Sequence, residues 1–240
     1  MVEFVIVFPG RCGSNMLTRM LRQHPQIDIT AYEAFAEEPL ARGDRRPIED
    51  DEDGAEFARR VIYGRKRPGI EAIGFKLAYH HARRHPHATV WNELRRRPVR
   101  VIHLTRINAL DRLISLELAS SQGKWVADQG ERGIYEARPV TISFEYLAEN
   151  AMWLARSAAA VRELVPADRR LEITYEALAA EPDVVLQRTL AFIGVSPLAI
   201  APLTRRQRIF GQRQALANYD ELRDAVRLHR PEWEHFFTDV

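Results

Sequence analysis

One stretch near the start of the chain, EFVIVFPGRCGSNMLTRMLRQHP, restricts the fold more than any other. An apolar run, Phe4-Val5-Ile6-Val7-Phe8, stops at Pro9-Gly10, and the short polar turn Arg11-Cys12-Gly13-Ser14-Asn15 follows. Met16, Leu17, Met20 and Leu21 then recur at helical spacing and end before Pro25. A strand, a turn and a helix in this order present free backbone N–H groups at the positive end of a helix dipole, which is a cradle for an anion. Gly10 and Gly13 let a ligand approach the backbone, Arg11 adds a planar charged fork, and Ser14 and Asn15 add short donors. The group that suits such a turn is a dianion, or two linked anions. The ATP-binding pattern G-x-x-x-x-G-K-[ST] is not met, because the turn is shorter and Gly13, with no lysine, stands ahead of Ser14. On the turn alone, an ordinary strand-to-helix junction with Ser14 as N-cap stays open, and Cys12 reads as a packing residue.

Strand-like and helical segments alternate along the rest of the chain, which predicts an α/β fold of three layers, a mainly parallel central sheet flanked by helices. Strands are expected at 3–8, about 27–31, 71–77, 99–105 and 170–175. Helices are expected at 14–23, about 108–120, 143–165 and 183–193, with a further one near 53–63. Ser143 stands in N-cap position before the long helix, and Gly194 stands where a helix C-cap needs a left-handed residue. Residues 36–68 and 121–139 read as insertions in one domain spanning 1–240, and no repeat or low-complexity tract is present.

The segment VIHLTRINALDRLISLELA repeats the architecture of the opening stretch. A buried strand leads to Arg106 and then to a helix with Asn108 as N-cap and Asp111 placed as in a capping box. Ser115 falls on the same helix face as Asn108, roughly 10 Å along the axis. An arginine at a strand end and a serine on that face can grip one phosphate from two sides. Two anion sites past strand ends ask for a ligand with two separated phosphate-type groups, and the crevice beyond the strands is where such sheets bind ligands.

Bulk composition narrows the function further. With 46% apolar and 28% charged residues and a net charge of +2, the chain is globular and is not a dedicated nucleic-acid binder. The runs Arg95-Arg96-Arg97 and Arg205–Arg213 carry no stacking-aromatic pattern, so an RNA-binding module is the weaker reading. One cysteine excludes an internal disulfide and fits a reducing compartment. A cytoplasmic protein without signal peptide or membrane span is the expectation. No metal is expected, since the histidines of HHARRHPH stand among basic neighbours with no nearby carboxylate. Of the 35 basic residues only Lys66, Lys76 and Lys124 are lysines, which singles out Lys76 at the end of IGFKL.

These segments together resemble the sulfotransferases that use 3'-phosphoadenosine 5'-phosphosulfate (PAPS). PGRCGSNML is similar to the turn by which that family cradles the 5'-phosphosulfate, with Cys12 and Asn15 at positions where serine or threonine is common. Arg106 and Ser115 are similar to its 3'-phosphate pair, and their spacing of nine resembles the bacterial carbohydrate-type members. LEITYEALAAEP is similar to a segment in which Tyr175 would contact the adenine region. LTRRQRIFGQRQALANYDEL, with Arg206, is similar to a basic stretch that closes over the nucleotide.

The resemblance implies in-line transfer of a sulfuryl group from PAPS to a hydroxyl or amine of a small-molecule or carbohydrate acceptor, leaving adenosine 3',5'-bisphosphate (PAP), with no metal required. It implies that Arg11 and the turn stabilise the leaving group, that Lys76 donates to the bridging oxygen, and that Glu33 is the general base with His80 as second choice. Trp125 and Tyr135 are candidates for stacking on the acceptor. The runner-up is a P-loop kinase or nucleotidase using ATP and Mg²⁺. Self-association as a homodimer is left open.

Overall fold

In a computed structural model, residues 1–29, 33–36, 48–65, 67–125, 135–203 and 208–238 are described. In chain order they form β1 (Val2–Phe8), α1 (Ser14–Leu21), β2 (Ile27–Ile29), α2 (Gly54–Phe57) continued by a π-helical turn (Ala58–Ile62), β3 (Ala72–Ala78), α3 (Thr89–Arg96) and β4 (Arg100–Thr105). They continue with α4 (Ala109–Gln122), α5 (Phe144–Leu164), β5 (Arg170–Thr174), α6 (Tyr175–Ala180), α7 (Pro182–Ile193), α8 (Gln212–Ala215) and α9 (Tyr219–His229), closed by a 3₁₀ turn at Pro231–Phe236. The strands fall within a residue or two of their expected places, as far as the described residues extend. The expected helices did not include α3, whose inward side is only Val90 and Leu94, the short α6 and α8, or α9, which buries Tyr219, Leu222 and Val226. No described helix is long and apolar enough to cross a membrane.

The described residues group into two compact units, 1–105 with 158–202, and 106–157 with 203–240. The first holds the sheet, whose order is β2-β3-β1-β4-β5 with every pairing parallel. Parallel strands need crossovers, and the helices that make them cover the sheet faces. Phe4, Ile6 and Phe8 of β1 pack with Leu17, Met20 and Leu21 of α1, Leu178 of α6 and Leu186, Leu190 and Ile193 of α7. Burying a side chain of this size contributes about 1.5–3 kcal/mol, so this face is the main source of stability around α1. Gly74 of β3 lies under the Phe4 ring, where a β-carbon would come within 2.6 Å of it. On the opposite face Phe75 meets the rings of Phe35 and Tyr63, and Phe35 meets Phe57 edge-on.

The second unit is helical. Leu110, Leu113, Ile114 and Leu118 of α4 pack with Leu147 and Ala151 of α5, Ala215, Leu216, Tyr219 and Leu222, and Phe236 and Phe237. Asn108 caps α4, accepting from the Asp111 N–H at 2.8 Å, and Ser143 caps α5, accepting from the Tyr146 N–H at 3.1 Å. Tyr135 is part of this core with its hydroxyl donating to the Lys124 carbonyl, so it fills the unit and is not available for stacking on a ligand, whereas Trp125 is half exposed.

Candidate functional site

The residues of interest in the first unit follow the C-terminal ends of parallel strands, except Lys76, which lies within the last three residues of β3. The turn after β1 carries Arg11 at φ 65° and Gly13 at φ 83°, both in the left-handed region, with Cys12 between them outside it. Alternation of hand is how successive backbone N–H groups come to point into one concavity. Gly13 itself is the N-cap of α1 and has no side chain to cap with, so Ser14 is the first helical residue and not the cap. The start of α1 therefore keeps its N–H groups for a ligand. Cys12 is fully buried in the core. Tyr175, the first residue of α6 after β5, lays its ring on the turn: a β-carbon at Gly13 would sit 2.9 Å from Tyr175 Cδ2.

Lys76 is 2% exposed and points to the α1 side of the sheet because it is in register with Ile6 of β1. Its ammonium donates to Asn15 Oδ1 at 2.7 Å, meets Glu33 Oε1 at 3.4 Å and lies 5.8 Å from the centre of the Phe8 ring. Burial pushes its pKa down, and the Glu33 charge opposes that shift. Lys76 is thus a stronger proton donor than a surface lysine.

Glu33 stands in the short turn beyond β2, a turn anchored by the buried Ala34 and Phe35. About a third of its side chain is exposed. Burial alone would raise the carboxyl, but the hydrogen bond from His81 and the Lys76 charge outweigh it and hold it at about 2. His81, which the sequence reading passed over in favour of its neighbour, places Nε2 3.3 Å from Glu33 Oε2. His80 is exposed and meets the His81 ring at 4.5 Å. The contact with Glu33 belongs to His81 because the turn after β3 is tight: the His81 N–H donates to Ala78 O at 2.9 Å, and Ala82 follows at φ 51°.

In the second unit Arg106, the residue after β4, and Arg208 both approach Asp111, each guanidinium only 6% exposed. Asp111 Oδ2 lies 3.6 Å from Arg106, while Oδ1 accepts from Arg208 and from Gln212 Nε2, the latter at 3.0 Å. The Asp111 N–H makes the Asn108 half of the expected capping box, and the carboxylate faces a basic cluster. Two guanidiniums thus meet at one carboxylate. Ser115, two turns into α4, is half-buried. Arg206 lies outside the described residues; Arg208, from the same basic stretch, reaches the cluster. A groove of about 430 Å³ in this unit, lined by Phe144, Met152, His229 and Trp233 among others, contains none of these residues. Among the described residues no group of three His, Cys, Asp or Glu side chains is placed to hold a metal.

Against solved structures, the chain is similar to a sulfotransferase from Alicyclobacillus acidocaldarius, with a TM-score of 0.56 and 19% identity over 98% of this chain and 94% of that one. It is similar also to mouse sulfotransferase SULT7A1 complexed with PAP, with a TM-score of 0.52 and 14% identity over 98% and 88% of the two chains. The chain has the sulfotransferase fold. No family model matches, and no curated protein matches by sequence. This agrees with the expected α/β architecture of a mainly parallel sheet with flanking helices.

Proposed function

We propose that the protein is a sulfotransferase that moves a sulfuryl group from PAPS to a hydroxyl or amine of a small-molecule or carbohydrate acceptor, releasing PAP. The observation that carries this reading is the meeting of Lys76, Asn15 and Glu33 beside a helix N-terminus whose N-cap is a glycine. A buried ammonium and an ionised carboxylate next to an anion cradle are the two charges that in-line transfer needs. The turn residues Arg11, Gly13, Ser14 and Asn15 hold the 5'-phosphosulfate, with Cys12 packing beneath them and Tyr175 bearing on the adenine region. Arg106 and Ser115, joined by Arg208, take the 3'-phosphate. Lys76 compensates charge on the departing 5'-phosphate oxygen, and Glu33 accepts the proton of the acceptor. The mouse structure of this fold was determined with PAP, which supports a donor of that type.

Calorimetric titration with PAP, beside ADP with Mg²⁺, on wild type and Arg106→Ala tests the reading. Metal-independent PAP binding that exceeds ADP binding and is weakened at least tenfold in Arg106→Ala is expected. Tighter Mg²⁺-dependent ADP binding, indifferent to Arg106, would sink it in favour of a kinase.

A further inference from the structure

We infer that His81 is a positioning residue, fixing the Glu33 carboxylate as the proton acceptor of the transfer, and that His81 is not itself the base. The inference rests on the sulfuryl-transfer reading above and deepens it by separating the roles of the two side chains. Both ring nitrogens of His81 are occupied. The Ala78 N–H donates to Nδ1 at 3.3 Å, so Nδ1 is an acceptor and the neutral ring carries its proton on Nε2. Nε2, 3.3 Å from Glu33 Oε2, therefore donates to the carboxylate. A ring whose lone pair is committed to a backbone amide has none left for a substrate proton.

The backbone that carries the ring is held as well. The same residue, Ala78, that donates to Nδ1 also accepts from the His81 N–H, and Trp91 Nε1 donates to the His81 carbonyl at 3.3 Å. The residue that follows, Ala82, sits at φ 51°, a conformation that non-glycine residues keep only where their surroundings enforce it. His81 is 3% exposed.

Among the described residues two donors face Glu33: Lys76 from β3 and His81 from the turn after it, with Cys12 and Arg19 acting on Lys76 from the opening turn and α1. If Lys76 serves the leaving oxygen, the His81 N–H is the contact that still orients the carboxylate. In the step itself the acceptor O–H or N–H gives its proton to Glu33. The acceptor atom bonds to sulfur, the bond from sulfur to the 5'-phosphate oxygen breaks with its electron pair on that oxygen, and the His81 proton stays on Nε2.

The test compares wild type, His81→Phe and His81→Gln. Phenylalanine keeps the ring's bulk and removes both nitrogens; glutamine restores an N–H donor in place of Nε2. Glu33 is followed by carbon NMR of the labelled carboxyl, assigned with Glu33→Gln, and turnover by PAPS cleavage with water as acceptor. In His81→Phe the Glu33 titration is expected to rise by about one pH unit or more and cleavage to fall about tenfold or more. In His81→Gln the titration stays within about half a unit of wild type and cleavage within about threefold, with PAP affinity unchanged in both. An unmoved Glu33 titration in His81→Phe, or a glutamine variant as impaired as phenylalanine, overturns the inference. Should His81→Phe not fold, His81→Gln decides alone, a rise of about a full unit in its Glu33 titration being the overturning result. If wild type fails to bind PAP, the donor reading falls instead, and the carboxyl titration still reports whether His81 sets Glu33.

Discussion

Lys76 donates to Asn15 Oδ1 at 2.7 Å, which ties the third strand to the second residue of the helix behind the phosphate-type turn. The contact follows from sheet register. Lys76 pairs with Ile6, so its side chain emerges on the face that α1 covers and not on the face of Phe75. A charge delivered to the start of α1 by register is fixed as firmly as the sheet itself.

The two ends of the Lys76–Glu33 pair are unequally exposed, at 2% and 33%, and the variants should differ accordingly. Glu33→Ala leaves a buried ammonium without its carboxylate, at a cost of about 3 kcal/mol. Lys76→Met keeps the apolar stem and leaves a carboxylate that water and His81 still reach, at a cost of about 1 kcal/mol. Urea unfolding of both variants measures the difference, and equal losses would contradict the account of Lys76 as the buried partner.

His103 gives a pH prediction. It is fully buried on β4, with Nδ1 2.9 Å from Glu172 Oε2 and Nε2 2.5 Å from the Tyr79 hydroxyl. Burial lowers its pKa below the ordinary 6.5, with Glu172 opposing. Between the lowered folded value and 6.5 the unfolded chain binds more protons, so stability rises with pH across that window. The contribution is complete above about pH 6.5 and is lost on acidification, at up to about 1.4 kcal/mol per pH unit. Melting temperatures from pH 7.5 to 5.5 should fall more steeply for wild type than for His103→Gln.

The strands and the turn into α1 were legible because they are local. β1, β3 and β4 are mostly apolar runs, each holding charged or polar positions such as Glu3, Lys76 and His103, and a parallel sheet buried on both faces needs such runs. What was hidden depends on geometry that adjacent residues share. His80 and His81 are alike in sequence, and only the tight turn at Ala78–Ala82 selects the second. Asp111 has the spacing of a capping box, yet its carboxylate meets Arg208, 97 residues away in sequence, and no local pattern reports that. α9 was readable in principle, since Tyr219, Leu222 and Val226 fall at i, i+3 and i+7. α3 was not, being a short helix with two inward residues.

Asp111 should be felt most when it is removed. In Asp111→Asn the guanidiniums of Arg106 and Arg208 lose the carboxylate they both approach, at a cost of about 2–3 kcal/mol. An added dianion can replace that charge. Inorganic phosphate should therefore raise the melting temperature of Asp111→Asn more than that of wild type, and an equal response would argue against an anion site at this cluster.

Gly13 and Tyr175 should be coupled. At φ 83° any β-carbon is strained, and here it would also stand 2.9 Å from the Tyr175 ring. Gly13→Ala is expected to cost about 2–3 kcal/mol, part from the backbone and part from displacing the ring. Tyr175→Ala removes the steric part while leaving the backbone part in place. The double variant should then be less destabilised than the sum of the singles by about 1 kcal/mol, measured as a double-mutant cycle in urea. Strict additivity would mean that the tyrosine ring does not rest on the turn. With coupling, PAP binding separates the two effects. Tyr175→Ala should weaken binding through lost contact while the turn keeps its shape, whereas Gly13→Ala should weaken it through the turn even after the ring has been removed.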